Sequence, residues 1–132
     1  MTIKDLKNNI VEVNALDIQA ISTDTTTAGE IIDTQGFESI TFVAQAGTLT
    51  DGTYTVKVEV GDNSALSDAA DATTDELIGS LPALSASNAV GRVGVLTGKR
   101  YVRLSLVSTS TSTGGTLGAV AIKGHAALGA TA

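Results

Sequence analysis

The stretch that decides the fold is Asp51-Gly52-Thr53-Tyr54-Thr55-Val56-Lys57-Val58-Glu59-Val60, in which polar and apolar residues alternate strictly after an Asp-Gly pair. In an extended chain, its four apolar side chains lie on one face, and the threonines and charged residues lie on the other. This pattern is typical of an antiparallel strand with one buried and one solvated face. Because Asp-Gly accepts the positive φ angles of tight turns, the pattern also predicts that the preceding strand folds back here as a hairpin.

Similar alternation recurs along the chain and predicts about seven to eight short strands separated by turns. This arrangement is typical of an all-β protein, an antiparallel, jelly-roll-like β-sandwich. We expect a short N-terminal arm over residues 1–9, the sandwich over residues 10–125 and a C-terminal tail over residues 126–132. The inward-facing residues of the clearest strands form the predicted core: Ile40, Phe42, Val56, Val58, Val102, Leu104 and Leu106.

Three other segments carry more specific predictions. The alternation of the first strand changes phase near residues 14–16, which predicts a β-bulge, because one extra residue turns every later side chain to the opposite face. In the closing strand, residues 117–123, we expect Val120 and Ile122 on the buried face. The Ser/Thr run at residues 108–113 predicts a flexible hairpin loop, and its alternative is a strand extension ordered against a neighbouring subunit.

The composition indicates one domain without covalent or metal cross-links through sulfur. The chain has 132 residues, of which 42% are hydrophobic, and it has no cysteine, so disulfides and thiolate metal sites are excluded. The N-terminal segment, residues 1–7, carries charges where a signal peptide needs an apolar run. No apolar window approaches the length of a membrane span. We therefore expect synthesis in the cytoplasm and no membrane partner.

The charge distribution argues against binding of nucleic acid. The formal net charge is −6, whereas phosphate binding needs clustered Lys and Arg. The one basic grouping is spread along residues 92–103 and comprises Arg92, Lys99, Arg100 and Arg103. The simplest interpretation is a solvated strand flanked by charge. The alternative is a surface that docks on an acidic protein.

No residue pattern indicates catalysis or a cofactor. His125 has no second imidazole or cysteine to complete a triad or a zinc site. The acidic loop at residues 62–76 does not follow the EF-hand spacing, so a solvated loop is favoured and calcium binding is left open. Asp33 and Glu38 could serve a glycosidase, but four scattered aromatics are a poor supply for a sugar cleft. We expect no enzyme activity, no metal or cofactor and no small-molecule substrate.

Six short segments in order along the chain form a recognisable set. They are residues 1–9 with their Ile3-Lys4-Asp5-Leu6 core, Gly36-Phe37-Glu38-Ser39, Thr50-Asp51-Gly52-Thr53-Tyr54, Asp75-Glu76-Leu77-Ile78-Gly79, Gly98-Lys99-Arg100-Tyr101-Val102-Arg103 and Lys123-Gly124-His125. Together they span nearly the whole chain, and the set resembles a group of small virion proteins of tailed bacteriophages.

This resemblance implies a phage structural protein, preferably a capsid decoration or cement protein that binds the outer capsid lattice and stabilises it. Its partner would then be the major capsid protein, and its location the exterior of the virion. A tail or head–tail joining component is the alternative. We also expect self-association, as a trimer, with the arm reaching a neighbour or the shell. The candidate assembly contacts are Ile3, Leu6, Arg92, Lys99, Arg100 and Arg103.

Overall fold

The computed structural model describes residues 6–126, and it describes side chains as far as Gly124. Within this range there is no α-helix, and a single 3-10 turn spans Thr74–Glu76. Seven strands have six or more residues, which agrees with the predicted number, and three more have two residues each. The ten strands are β1 (Ile10–Ile21), β2 (Thr26–Asp33), β3 (Phe37–Leu49), β4 (Thr53–Gly61), β5 (Ala70–Asp71), β6 (Leu77–Ile78), β7 (Ala83–Leu84), β8 (Val90–Val95), β9 (Tyr101–Thr109) and β10 (Gly115–Ala126).

The strand pairings are those of a jelly roll. Sheet A has the order β1-β10-β3-β8-β6, and sheet B has the order β2-β9-β4-β5, with β7 also paired to β4. Early strands pair with late strands in reverse order: β1 with β10, β2 with β9, β3 with β8, and β4 with β5 and β7. This is a long antiparallel ribbon wrapped over two sheets. The predicted all-β, antiparallel sandwich of the jelly-roll type is therefore confirmed.

The core lies between the two sheets and contains all seven residues predicted from alternation. Four of the seven are fully buried, namely Phe42, Val102, Leu104 and Leu106. The other three predicted residues are at most 5% exposed. Tyr54 is also fully buried, with its hydroxyl donating a hydrogen bond to the Asp51 carbonyl oxygen at 3.0 Å. Aliphatic side chains from both inner faces fill the remaining space. Alternation located this face because each of these strands is apolar on one side and mainly polar on the other.

The predicted hairpin at Asp51-Gly52 is wrong. Gly52 does have a positive φ of 93°, as the turn chemistry requires, but β3 pairs with β10 and β8 while β4 pairs with β9. The turn therefore carries the chain from sheet A to sheet B at a corner of the sandwich. Asp-Gly predicts a tight change of direction, but the pairing of the flanking strands depends on residues far away in the sequence.

The Ser/Thr run at residues 108–113 does not form a hairpin loop either, because β9 and β10 belong to different sheets. The Asp51 carboxylate accepts hydrogen bonds from the backbone N–H groups of Ser112, Thr113 and Gly114, at 3.0, 3.0 and 2.8 Å. These backbone donors lower the pKa of Asp51. The loop is thus ordered by the chain's own carboxylate.

The bulge predicted near residues 14–16 is confirmed, and a second bulge follows it. Asn14 pairs with Val120 and Leu16 pairs with Ala119, so Ala15 is the extra residue of the first bulge. The next paired residues are Gln19 and Leu117, so residues 17 and 18 together face Gly118. The second bulge turns the strand again before it reaches the corner of the sandwich.

The predicted phase of the closing strand is wrong. In β10 the inner face is formed by Leu117, Ala119 and Ala121, all buried, whereas Val120 is 42% exposed and Ile122 is half-buried on the outer side. Ala121 pairs directly with the fully buried Phe42. A small residue fits opposite an aromatic ring in a close-packed core, and a larger one would overfill it.

Candidate interaction surface

The outer side of sheet A presents apolar side chains to solvent. Directly paired residues share a face of a sheet, and one such row runs Asn14, Val120, Val43 and Arg92 across β1, β10, β3 and β8. The exposed fractions are 80% for Ile18 and 61% for Val90. We name this surface the outer apolar face. It comprises Ile18, Val43, Ile78, Val90, Val120 and Ile122, interspersed with Glu12, Asn14, Thr41, Gln45 and Arg92.

The second bulge of β1 shapes this face. Ile18 lies over Gly118, and a Cβ atom built on that glycine would be 2.7 Å from the Ile18 Cγ1 atom. The absence of a side chain at Gly118 makes room for Ile18, and a groove of about 340 Å³ lies beside it, with Val43, Gln45 and Asn88 also in its lining. The outer apolar face is therefore uneven, with a protruding Ile18 side chain next to a groove.

The outer side of sheet B differs because charged side chains there neutralise one another. Arg103 and Glu59 are paired across β9 and β4, with 3.0 Å between the Arg103 Nη2 and Glu59 Oε1 atoms, and both side chains are less than a quarter exposed. Lys57 and Asp71 form a second, more open ion pair at 3.6 Å. The two outer sides of the sandwich thus have different chemistry, and sheet A carries the unpartnered apolar one.

The structure does not bring the predicted basic residues together. Arg92 lies on the outer apolar face, Arg103 lies on the outside of sheet B, and Lys99 and Arg100 lie in the turn between β8 and β9. Three of the four are in ion pairs with acids of the same chain: Lys99 with Asp62, Arg100 with Asp33 and Arg103 with Glu59. Among the described side chains, Arg92 has no such acid within 4 Å.

Of the two apolar residues predicted for the arm, the structure describes only Leu6. Leu6 is 66% exposed and lies just before β1, while Ile3 lies outside the described residues. The predicted tail also lies outside them from residue 127 onward, as does the side chain of His125.

Two carboxylates of the acidic loop at residues 62–76 accept hydrogen bonds from backbone or hydroxyl groups of the chain. Asp68 accepts hydrogen bonds from the backbone N–H groups of Asp62 and Asn63, at 3.0 and 3.2 Å, and these donors lower its pKa. Glu76 accepts a hydrogen bond from the Thr97 hydroxyl and another from the Thr73 backbone N–H. Among the described side chains, no three His, Cys, Asp or Glu residues lie close enough to hold a metal ion.

Over residues 6–126, none of the helical structure is long and apolar enough to cross a membrane.

The bond between Arg100 and Asp33 leads to a pH prediction. The side-chain hydrogen bonds from Arg100, at 2.9 and 2.8 Å, together with the Gln35 backbone N–H, lower the pKa of Asp33 from 3.8 to about 2. Because the folded-state pKa lies below the unfolded one, the stabilisation is complete above pH about 4 and is lost as the pH falls to about 2. In urea unfolding, Asp33→Asn is expected to be less stable than the wild type at pH 7. The difference is expected to shrink between pH about 4 and about 2. A difference that stays constant over this range would contradict the assignment.

Sequence reasoning missed Ile18 and Val120 as surface residues, although β10 contained a usable signal. Its inner residues and its outer Val120 and Ile122 are apolar alike. A strand that is apolar on both faces is typical of burial on both faces. Within one copy of the chain, however, the outer side of β10 is not buried, and Val120 is 42% exposed.

Neither the protein-family models nor the curated proteins contain a match to this chain. Solved structures with a similar backbone include the following two. The crystal structure of the SPBc2 prophage-derived protein YomS matches with a TM-score of 0.50 and 14% sequence identity, over 93% of this chain and 96% of that one. A structure of infectious bursal disease virus Gx strain matches with a TM-score of 0.46 and 11% identity, over 88% of this chain and 32% of that one. At 14% identity, the similarity to the prophage-derived protein is one of fold.

Proposed function

We propose that this chain is a structural protein of a tailed-phage particle. The observation that carries the proposal is the outer apolar face, because a soluble protein seldom leaves such a surface open unless another protein or another copy of itself covers it in an assembly. The ordered set of segments from residue 1 to residue 125 that resembles small phage virion proteins supports the same role. The jelly-roll fold, similar to that of a prophage-derived protein, is compatible with it, but a fold alone does not define a function.

More specifically, we propose a decoration or cement role on the exterior of the capsid, with the major capsid protein as partner. A subunit that binds the assembled lattice, and not its separated subunits, stabilises the lattice by mass action. Repetition by the symmetry of the shell turns modest contacts into a large total. A net charge of −6 suits a protein that lies outside a DNA-filled shell, because it opposes binding to the genome. No enzymatic step, cofactor or nucleic-acid contact belongs to this role.

We also propose that the subunits associate with one another, as a trimer in the first instance, with residues 1–9 as an arm. Leu6 supports this part of the proposal, since its side chain, ahead of the turn that leads into β1 at Ile10, is 66% exposed. An apolar residue on a terminal segment gains free energy when a neighbouring subunit or the shell covers it. Together with Ile3, it is the proposed contact of the arm.

Deleting the gene tests the role in the particle. Filled heads and attached tails are expected in near-normal numbers, while survival after heating or osmotic shock falls at least about tenfold, because an external clamp adds contact free energy to the finished shell. Adding purified protein to the deletion particles is expected to restore survival. Particle counts by electron microscopy and plaque counts after heating provide the measurement.

The same experiment separates the alternative. A tail or head–tail joining component is needed during assembly, so its loss would leave tailless heads or separate tails. That outcome would replace decoration by the joining role. Particles that are normal in number and equally resistant to heat would contradict both forms of the proposal.

A further inference from the structure

We infer that the outer apolar face binds the same face of a second copy of this chain, around a two-fold axis. The inference adds a two-fold contact to the proposed self-association and rests on it, since two trimers joined by this contact form a hexamer, an even multiple of the subunit mass. It concerns a contact distinct from that of the arm, which stays free to reach the shell or a third subunit.

The first reason is that the face extends across several strands of sheet A and that no other element of residues 6–126 covers it. From β1 to β8 it spans three strand spacings, or about 14 Å, and it extends over several residues along the strands. Its raised points, Ile18 and Val90, are 80% and 61% exposed. Patches of this kind on soluble proteins mark contact surfaces. In the described part of the chain, the outside of sheet B has no comparable apolar surface, and its charged side chains are already paired within the chain.

The second reason is that the two ionic groups on the face have opposite signs and opposite positions. Glu12 lies on β1 at one edge, paired with Ile122, and Arg92 lies on β8 toward the other edge, paired with Val43. Neither has an oppositely charged side chain within 4 Å among the described residues. A third ionic group, Asp17, lies in the bulge at the rim and accepts a hydrogen bond from Asn14. The face is thus nearly neutral in a chain of net charge −6. Two acidic molecules meet there with the least repulsion.

The third reason is geometric. A two-fold contact is self-complementary. If one residue of the first copy contacts a given residue of the second, the reverse contact forms as well. An axis parallel to the strands, between β10 and β3, places β1 of one copy over β8 of the other. Glu12 of each copy then lies close to Arg92 of the other, within about two residues along the strand, or about 7 Å, a span that the long arginine side chain covers.

The same axis also brings apolar side chains of the two copies into contact. Val120 and Val43, which are paired at the centre of the face, lie next to the axis and meet the same pair of the second copy. Val90 of one copy comes over the groove beside Ile18 of the other. Sheets that pack face to face in this aligned way lie about 10 Å apart. The face therefore carries knob, hollow and charge in positions that a second copy can match.

Sedimentation equilibrium of the purified chain tests the inference. At about 0.1 mM, where even a small interface is populated, the mass is expected to be an even multiple of the subunit mass. Val120→Asp is expected to weaken the association at least about a hundredfold, because two carboxylates would be buried against apolar faces. Ile31→Asp is the matched control, since Ile31 is 36% exposed on the outside of sheet B, and it is expected to keep the wild-type mass.

Charge reversal provides a second test that leaves the apolar contact intact. Glu12→Arg alone and Arg92→Glu alone are each expected to weaken association about tenfold, since the symmetric interface contains each ion pair twice. The double variant is expected to return near the wild-type value. Circular dichroism and melting temperature establish that each variant is folded. A monomeric wild type, an odd multiple of the subunit mass, or no rescue in the double variant would each overturn the face pairing. None of these results depends on the gene deletion that tests the role in the particle.

Discussion

Leu104→Asp is expected to unfold the protein under conditions in which the wild type is stable. Leu104 has no exposed surface and pairs with Val58 in the middle of sheet B. The change removes a buried aliphatic side chain and leaves a carboxylate among apolar neighbours, with no cation in the core to pair with it. Together these effects cost about 5 kcal/mol or more. This approaches the whole stability of a typical domain, about 5–15 kcal/mol.

Urea unfolding followed by far-UV circular dichroism measures this effect. Leu96→Asp is the control, because Leu96 is 61% exposed just after β8, and its midpoint is expected to shift little. Val58→Asp is expected to match the loss at Leu104, since the two side chains share the core. If Leu104→Asp and Leu96→Asp shifted the midpoint by similar amounts, the assignment of the inner face of β9 would be wrong.

Gly114→Ala is expected to be nearly as damaging, for a different reason. A Cβ atom at this position would lie 1.9 Å from the carbonyl oxygen of Ile21, and the backbone has a φ of +88°. Two costs therefore combine, the steric overlap with rigid backbone and the positive φ angle. The loop held by Asp51 would have to move away from the corner where β1 ends. We expect a loss of about 3 kcal/mol or more.

Gly36→Ala separates the two costs. Gly36 has a similar φ of +91°, but no heavy atom lies within 4 Å of the position of its Cβ. Its loss is expected to be about 1 kcal/mol, which is the cost of the backbone angle alone. Equal losses at the two glycines, measured by urea unfolding, would mean that the approach of residue 114 to Ile21 is looser than the structure indicates.

The comparison of the two outer faces explains why the sequence located the core but not the candidate surface. In β4 and β9 the outward residues are largely polar or charged, so alternation alone identified the inward set. In β10 both sets are apolar, and alternation cannot rank them. The small residues face inward there because Phe42 lies opposite Ala121 and fills the available volume. Val120 and Ile122 therefore lie on the outside, where they contribute to the outer apolar face.

The candidate assembly residues show the same limit. The sequence places Arg92, Lys99, Arg100 and Arg103 within twelve positions of one another, which suggests one basic grouping. The structure separates them, because β8 belongs to sheet A and β9 to sheet B. Partners distant in sequence, such as Asp33 and Glu59, neutralise Arg100 and Arg103. Among the described side chains, Arg92 has no acidic partner within 4 Å. Only the fold shows that Glu12 lies on the same face of sheet A.

By itself, the sequence determined the all-β class, the number of long strands, the inner faces of β3, β4 and β9, and the first bulge of β1. These depend on the period of side chains along one strand, which is a local property. Only the tertiary structure decided that Asp51-Gly52 crosses between sheets, which face of β10 is buried, and where an unpartnered apolar surface remains. Those features depend on pairings between residues far apart in the chain, and on the volume left for each side chain after its neighbours are placed.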